Sequence, residues 1–359
     1  MVSRSSPTLD IRYPAAFAAG LTAALLCLVV RQGTLPALLT ACLSPLPIML
    51  ATFAFGGAPG LTAAAIGTGT IIFYFAASAG DIWTARLVSA ALFGAIFAMV
   101  LGFPAWWLAR LARLSRTEPG FAWRDAPWPE SDGRVSQKAI RGNSYPLSRI
   151  LAYTVLGAAA IITSTLIVIS LRNGGFAAIV DRSAAWLAPY IVDTVSMREL
   201  PAGIDLQYLS RFYIRLIPPL VTSSYVLLLA ANLWLAGRVV QASNLLLRSW
   251  PDIAGELRLP RALALGFLAS LASCLFDGLV GAIASCAAAA LGTGFVLQGL
   301  AVMHALSRGI KFRAALLAAI YAAAAVPPFL MLIPFALLGL LDAGFGFRER
   351  RPGALPQKT

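Results

Sequence analysis

Residues 150–171 read ILAYTVLGAAAIITSTLIVISL, a run of 22 residues without a charged side chain. The hydrocarbon core of a bilayer is about 30 Å thick, and a helix of roughly 20 apolar residues crosses it. Backbone N–H and C=O groups find no water at that depth, so the segment must pair them internally as a helix. The stretch therefore predicts a transmembrane helix.

The rest of the chain repeats this pattern, because long apolar segments alternate with short loops that hold most of the Lys and Arg. Apolar residues make up 59% of the chain and charged residues 12%, whereas about a quarter of the residues in a soluble domain are charged. The sequence predicts an all-α fold, a polytopic transmembrane helical bundle of about eight to nine spans. Besides 150–171, the predicted spans are 14–30, 35–57, 60–79, 87–109, 216–237, 263–287, 289–307 and 314–341.

The net charge of +13 lies mainly in loops, where Lys and Arg orient membrane spans and meet anionic lipid head groups. We therefore expect a multi-pass protein of the bacterial cytoplasmic (inner) membrane, with membrane lipid as a partner and no nucleic acid. The chain has 4 cysteines, all in apolar segments and without CxxC spacing, and 1 histidine. This composition predicts no metal site and no cofactor.

The apolar segments group into a predicted domain organisation. Residues 1–109 form an N-terminal four-span bundle, and 110–149 form a basic loop that the positive-inside rule places in the cytoplasm. Residues 150–341 form a C-terminal transmembrane bundle, which contains an extracytoplasmic amphipathic segment at 172–215. Residues 342–359 form a basic C-terminal tail.

The segment 172–215 allows two interpretations. Its apolar residues recur at helical spacing, which favours an interfacial amphipathic helix that Pro189 bends or breaks. The alternative is a solvent-exposed loop that covers the bundle from outside. The apolar residues at this spacing are Phe176, Ile179, Val180, Leu187, Ile191 and Val195.

The predicted number of spans conflicts with the positive charge of the C-terminus. Nine spans from a cytoplasmic N-terminus would leave the basic C-terminus outside, against the positive-inside rule. An even count removes the conflict, and we prefer it. Either the region 263–307 crosses the membrane fewer times, or 314–341 breaks at Pro327-Pro328 into a re-entrant pair.

Small residues recur along the first span, which runs from Ala15 to Val30 and which we interpret as uncleaved. Ala15, Ala19 and Ala23 line one side of the helix and would let another backbone come close. They serve either packing within this bundle or docking of a partner membrane subunit.

A cluster of Gly and Pro residues follows in the next two predicted spans. Pro45-Leu46-Pro47 precedes Phe55-Gly56-Gly57-Ala58-Pro59-Gly60, and these residues end one helix and turn sharply into the next. Irregular backbone at membrane depth is tolerated when it is buried in protein or lines a cavity. The cluster therefore forms either a plain helical hairpin or the wall of a substrate cavity.

Polar side chains at membrane depth are expensive and are therefore functional candidates. Asp277 is the only acid near the middle of a predicted span: it binds a cation or proton, pairs with an arginine, or lies near water where two short helices meet. Gln298 and His304 complete the predicted substrate-binding set, although His304 alternatively makes an ordinary hydrogen bond. Asn232 is a weaker candidate.

The chain lacks the sequence motifs of common enzymes. It has no GxxxxGK[ST] phosphate loop, no HExxH, no GxSxG and no GxGxxG that opens a helix. A Ser-His-Asp arrangement would have to use its single histidine. We therefore predict that the protein is not an enzyme.

The C-terminal third carries a family resemblance. Ser249-Trp250-Pro251 and Leu259-Pro260 precede the run from Gly299 to His304, and the chain closes with a G-L-x-D-x-x-F-x-F-R-x-R pattern at 339–350. This sequence resembles the YybS-like family of bacterial membrane proteins, which has no assigned function. The N-terminal half, with its small-residue first span and Pro–Gly hairpin, also resembles substrate-binding components of energy-coupling-factor transporters.

The second resemblance implies the leading functional hypothesis. In those components an A-x-x-x-A face on the first helix docks a shared membrane subunit, and a small ligand binds from outside. The leading hypothesis is thus a transport-related membrane component that binds a small solute, of unknown identity, and works with partner subunits. The alternatives are a cell-envelope scaffold or assembly protein and, third, a membrane enzyme that acts on a lipid.

Overall fold

The computed structural model describes residues 11–78, 83–113, 147–194, 205–243, 245, 252–325 and 328–348. Every regular element in this part of the chain is helical. The chain divides into two compact units. Unit 1 comprises Met1–Pro146 and Leu228–Pro251, and unit 2 comprises Leu147–Leu227 and Asp252–Thr359.

Unit 1 is a bundle of packed helices. Its helix α1 (Arg12–Leu28) packs closely against α4 (Gly57–Ser78). Helix α3 (Pro45–Phe55) packs against both α4 and α6 (Phe103–Arg113). A short π-helical turn, Ala98–Gly102, lies between α5 and α6. The helices are α1 (Arg12–Leu28), α2 (Leu35–Ala41), α3 (Pro45–Phe55), α4 (Gly57–Ser78), α5 (Trp83–Phe97) and α6 (Phe103–Arg113).

Unit 2 is built around one long central helix, and the last part of helix Leu206–Ala242 belongs to unit 1. The central helix is α12 (Gly278–Leu306), whose most apolar stretch is 56% buried. It contacts α7 (Leu147–Arg172), α11 (Arg261–Ser273) and α14 (Pro328–Phe345). The helices are α7 (Leu147–Arg172), α8 (Phe176–Thr194), α9 (Leu206–Ala242), α10 (Ile253–Glu256), α11 (Arg261–Ser273), α12 (Gly278–Leu306), α13 (Arg313–Ala325) and α14 (Pro328–Phe345).

Seven helical segments among the described residues are long and apolar enough to cross a membrane. The chain is thus a polytopic helical membrane protein by helix length and hydropathy. Three further apolar helices, Arg261–Ser273, Arg313–Ala323 and Leu332–Phe345, are shorter. The seven segments are Arg12–Gln32, Leu35–Phe55, Gly57–Ser78, Leu87–Arg113, Leu147–Arg172, Leu206–Ala242 and Gly278–Leu306.

The predicted boundary between spans 263–287 and 289–307 is wrong. A single helix, Gly278–Leu306, runs through residue 288, because the Ala-rich sequence there contains no helix breaker. The break lies earlier, where Asp277 is extended and Gly278 has a φ of 73°, a left-handed conformation that favours glycine. One described helix ends at Ala325 and the next begins at Pro328; residues 326–327 lie outside the described part of the chain, so the break at Pro327-Pro328 stays a prediction.

The segment 172–215 contains the predicted helix, so the loop interpretation is wrong for residues 176–194. Helix α8 runs through Pro189 without ending there. Its buried residues Phe176, Val180 and Ala184 recur every fourth position. The helix therefore has one apolar face, which packs against other residues of unit 2. Val195 and the following residues up to 204 lie outside the described residues.

Two predicted hydrophilic segments lie largely outside the described residues. In the loop 110–149, residues 110–113 end helix α6 and 147–149 begin helix α7, and 114–146 are not described. The tail 342–359 begins differently from the prediction. Residues 342–345 belong to helix α14 and Arg348 is buried, because its charge is paired inside unit 2.

Candidate functional site

Two prolines kink the second apolar segment of unit 1. Pro45 and Pro47 have no N–H to offer to the carbonyls of Ala41 and Leu43, and each carbonyl instead accepts from the N–H three residues further on, at 3.0 Å. The N–H that would have reached the carbonyl of Cys42 is one of these donors. The local sequence therefore leaves the Cys42 carbonyl without a partner in its own helix.

Asn232, which lies 190 residues further along the chain, donates a hydrogen bond to this carbonyl. Its Nδ2 donates to the Cys42 carbonyl at 2.9 Å and to the Leu228 carbonyl at 2.8 Å. Asn232 is only 4% exposed, and its Oδ1 has no hydrogen-bond partner. A buried acceptor without a donor costs about 1–3 kcal/mol, so this oxygen is a site of unmet hydrogen bonding.

A second polar contact lies beside the kink. The hydroxyl of Ser44 donates to the carbonyl of Ala23 at 2.7 Å, and Ser44 is fully buried. Ala23 is the twelfth of 21 residues in the segment Arg12–Gln32, and Cys42 is the eighth of 21 in Leu35–Phe55. These two carbonyls thus lie away from the ends of their segments, and Asn232, the 27th of 37 residues in Leu206–Ala242, reaches that level through its bond to Cys42. We call Ala23, Cys42, Ser44 and Asn232 the kink cluster.

No charged side chain contributes to the kink cluster. The described residues of unit 1 include no Asp or Glu. Its arginines contact groups at the helix ends: Arg31 lies over the Tyr74 ring at 5.4 Å, and Arg113 donates to the Thr52 carbonyl at 3.0 Å. The middle of the unit is therefore polar but uncharged.

Unit 2 contains a second buried polar group, formed by Gln298, Asp342 and Arg348, which we call the carboxylate cluster. Arg348 Nη2 lies 2.6 Å from Asp342 Oδ2, and Gln298 Nε2 donates to the same oxygen at 3.0 Å. The three residues are 0%, 2% and 8% exposed, in that order. The two charges neutralise each other inside the unit, as buried ions require.

The carboxylate cluster also forms hydrogen bonds with the backbone of residues 254–259, which precede helix α11. Arg348 donates to the carbonyls of Ala254 and Leu257, each at 2.9 Å. Gln298 Oε1 accepts from the backbone N–H of Leu259 at 2.8 Å. Every buried polar side-chain atom of this cluster has a hydrogen-bond partner. The carboxylate cluster therefore stabilises the structure of unit 2 and offers no unpaired group to a ligand.

An exposed ion pair lies near the carboxyl end of helix α12. Arg308 and Asp252 form two hydrogen bonds of 2.5 and 2.6 Å, and their side chains are about half exposed. The hydrogen bonds from the Arg308 guanidinium lower the pKa of the Asp252 carboxyl. Solvent screens such a pair, so it contributes little to stability.

The predicted substrate-binding residues do not come together. Asp277 is exposed immediately before the Gly278–Leu306 helix, and Gln298 is buried 21 residues further along it. At 1.5 Å per residue they are about 31 Å apart. His304 lies one further turn and a half along, and its Nε2 is 2.8 Å from the Tyr321 hydroxyl, which matches the ordinary hydrogen bond named as its alternative.

The predicted docking face on the first span is partly covered within unit 1. Ala23 is fully buried, while Ala15 and Ala19 are half-buried. The neighbouring Gly20 faces α4 so closely that a Cβ would overlap the carbonyl oxygen of Ala63. Packing within the unit accounts for Ala23, and docking of a partner stays a prediction for Ala15 and Ala19.

Sequence reasoning missed the Asp342–Arg348 pair and ranked Asn232 low. Asp342 follows the predicted end of a span at residue 341, so it was expected in the tail and not in the interior. The signal for Asn232 was present in Pro45 and Pro47, since two prolines two residues apart free backbone carbonyls that a polar side chain must meet. Which side chain meets them is a tertiary contact that local sequence does not contain.

Comparison of the chain with known family models, curated proteins and solved structures finds no match. The resemblances to the YybS-like family and to energy-coupling-factor components therefore stay predictions.

Proposed function

We propose that this membrane protein is a transport-related component of the bacterial cytoplasmic membrane that binds a small solute within unit 1 and has no enzymatic activity. The observation that carries the proposal is the kink cluster, in which Asn232 presents an unpaired acceptor beside the interruption of the membrane-spanning segment Leu35–Phe55. Polar groups at that depth are costly and in membrane proteins mark substrate and ion pathways.

The interrupted helix supports the same proposal. Transporter sites near the bilayer midplane are typically formed by discontinuous helices, whose freed backbone groups contact the substrate. The segment Leu35–Phe55 is interrupted between Ala41 and Pro45, close to its own midpoint. Unit 1 thus combines an interrupted span, a freed carbonyl and an unpaired side-chain acceptor.

Partner subunits remain part of the proposal. The half-buried Ala15 and Ala19 leave room for a second membrane helix beside the first span. A scaffold role would instead depend on the basic loop and tail. Most of those residues lie outside the described chain, and Arg348 is buried in an ion pair, so no described contact favours that alternative.

Purification of the full-length protein in mild detergent tests the solute-binding proposal. Small molecules that co-purify with the wild-type protein are identified by mass spectrometry and compared with those of Asn232→Leu, which removes the polar amide and keeps the branching of the side chain. The matched control is Asn173→Leu, the same change at a partly exposed asparagine whose side chain bonds the Ile169 carbonyl and Arg182.

We expect a small molecule that is retained by the wild type and by Asn173→Leu and lost from folded Asn232→Leu. The absence of any retained molecule in the wild type, or equal retention in all three proteins, contradicts the proposed function.

A further inference from the structure

The unpaired oxygen of Asn232 specifies what kind of group the kink cluster accepts. We infer that Asn232 Oδ1 receives a hydrogen bond from an uncharged donor, either a water molecule or a hydroxyl or amide group of a small solute. The solute form of this inference rests on the proposed function, whereas the hydrogen bond itself does not.

The orientation of the Asn232 amide is fixed by its other contacts. Both Nδ2 hydrogens are used, one on the Cys42 carbonyl and one on the Leu228 carbonyl. A flipped amide would bring Oδ1 against these two carbonyl oxygens, so that Oδ1 and the Cys42 carbonyl would lack donors and two repulsive contacts would form. The oxygen therefore stays unpaired whichever way the side chain is assigned.

The neighbouring side chain has no hydrogen to offer. Ser44, the hydroxyl of the kink cluster, donates its hydrogen to the Ala23 carbonyl. Among the described residues, Asn232 Oδ1 is the only buried side-chain N or O atom without a partner. Buried polar atoms in proteins are almost always paired with protein or ordered water, so we expect a donor from outside the described residues.

Charge decides which donors are acceptable. A cation at this depth needs a counter-charge, and the described residues of unit 1 supply no Asp or Glu. An anion would face an unpaired acceptor and no free donor. An uncharged donor satisfies Oδ1 without leaving a charge in an apolar surrounding.

Selective labelling of asparagine tests the inference directly, because the chain contains only 4, at positions 143, 173, 232 and 244. In a full-length protein that carries Asn143→Ser, Asn173→Ser and Asn244→Ser, Asn232 is the only site for a 13Cγ-asparagine label. This protein leaves the kink cluster intact and is reconstituted in lipid bilayers. A matched sample that retains only Asn173 provides the signal of a partly exposed amide whose oxygen accepts from Arg182.

Solid-state NMR of these samples reads the hydrogen bond at Asn232. We expect the 13Cγ resonance at the hydrogen-bonded position and magnetisation transfer from the protons of a bound donor. Transfer that disappears after exchange into D2O and follows the water resonance identifies water. Transfer from carbon-bound protons that match none of the protein's own protons identifies a solute.

A 13Cγ resonance at the position of an unbonded amide, without transfer from water or from any other molecule, overturns the inference. Failure of the proposed function looks different. In that case the hydrogen bond comes from water alone, and no small molecule co-purifies with the wild-type protein.

Discussion

The Arg348 guanidinium is buried in unit 2, where it donates hydrogen bonds to the Asp342 carboxylate and to three backbone carbonyls. Substitution of Arg348 by Met removes the ion-pair partner of the buried Asp342 carboxylate and leaves the hydrogen bond from Gln298. Because an uncompensated buried charge is strongly unfavourable, we expect Arg348→Met to lower the free energy of unfolding by about 3–5 kcal/mol. Thermal unfolding of the detergent-solubilised protein measures the change.

The exposed pair provides the matched control for this prediction. Arg308→Met removes the same type of side chain from an ion pair that is about half exposed, and we expect a loss of at most about 1 kcal/mol. Replacement of both charges, as Asp342→Leu with Arg348→Met, should recover most of the stability lost in the single variant. Equal losses for Arg348→Met and Arg308→Met would show that the buried pair is not formed.

Individual residues were the level at which the sequence was least informative. Asp277 was singled out because it interrupts an apolar run, yet it lies exposed at a helix start. Gln298 was singled out for its depth, and its burial agrees with that, but its partners Asp342 and Leu259 come from segments 44 and 39 residues away. Composition and spacing identify a costly residue, whereas its partner depends on tertiary packing.

Helices α12 and α14 approach each other at a pair of glycines. A Cβ on Gly299 would overlap the carbonyl oxygen of Phe335, and a Cβ on Gly339 would overlap that of Phe295. Such close backbone contact is the usual way in which small residues join membrane helices. We expect Gly299→Ala to force the helices apart and to destabilise the protein by about 1–3 kcal/mol.

The control is Gly157→Ala in helix α7, where a Cβ meets no atom within 4 Å. There the substitution should be neutral or stabilise the protein by up to about 1 kcal/mol, since alanine favours the helix. Unfolding temperatures of the two variants and the wild type compare the effects. If Gly299→Ala unfolds at the wild-type temperature, the close crossing of α12 and α14 is contradicted.

Element boundaries followed the local sequence where a breaker was present. The helix end at Gly56, where φ is 112°, matches the glycines of the sequence. The wrong boundary at residue 288 has the opposite origin, because length alone divided an apolar stretch that contains no breaker. The interruption at residues 42–44 was indicated by Pro45 and Pro47, although its depth in the unit depends on packing.

Across both units, the distribution of side chains is that of a protein in lipid. In α1 the buried positions are small, with Ala16, Gly20, Ala23 and Ala24, while large apolar residues on the other side are exposed, among them Tyr13, Phe17, Leu21 and Leu25. A soluble protein buries its large apolar residues. Exposed large residues and buried small ones indicate that lipid surrounds the helices and that backbones pack closely inside.

The all-α class and the multi-pass character followed from the sequence, because hydrocarbon thickness and backbone hydrogen bonding leave few alternatives for long uncharged segments. The number of spans did not follow from it. Short apolar helices such as Arg261–Ser273 are too short to cross a bilayer alone, and their hydropathy does not distinguish them from parts of a true span.

Extraction of cell membranes with alkaline carbonate tests the central claim, that lipid is the solvent of this bundle. Carbonate removes peripheral proteins and leaves proteins whose helices cross the bilayer. We predict that the full-length protein remains in the membrane pellet and enters solution only with detergent. Its release by carbonate, as a helical protein that stays dissolved without detergent, would contradict the membrane assignment and every proposal based on it.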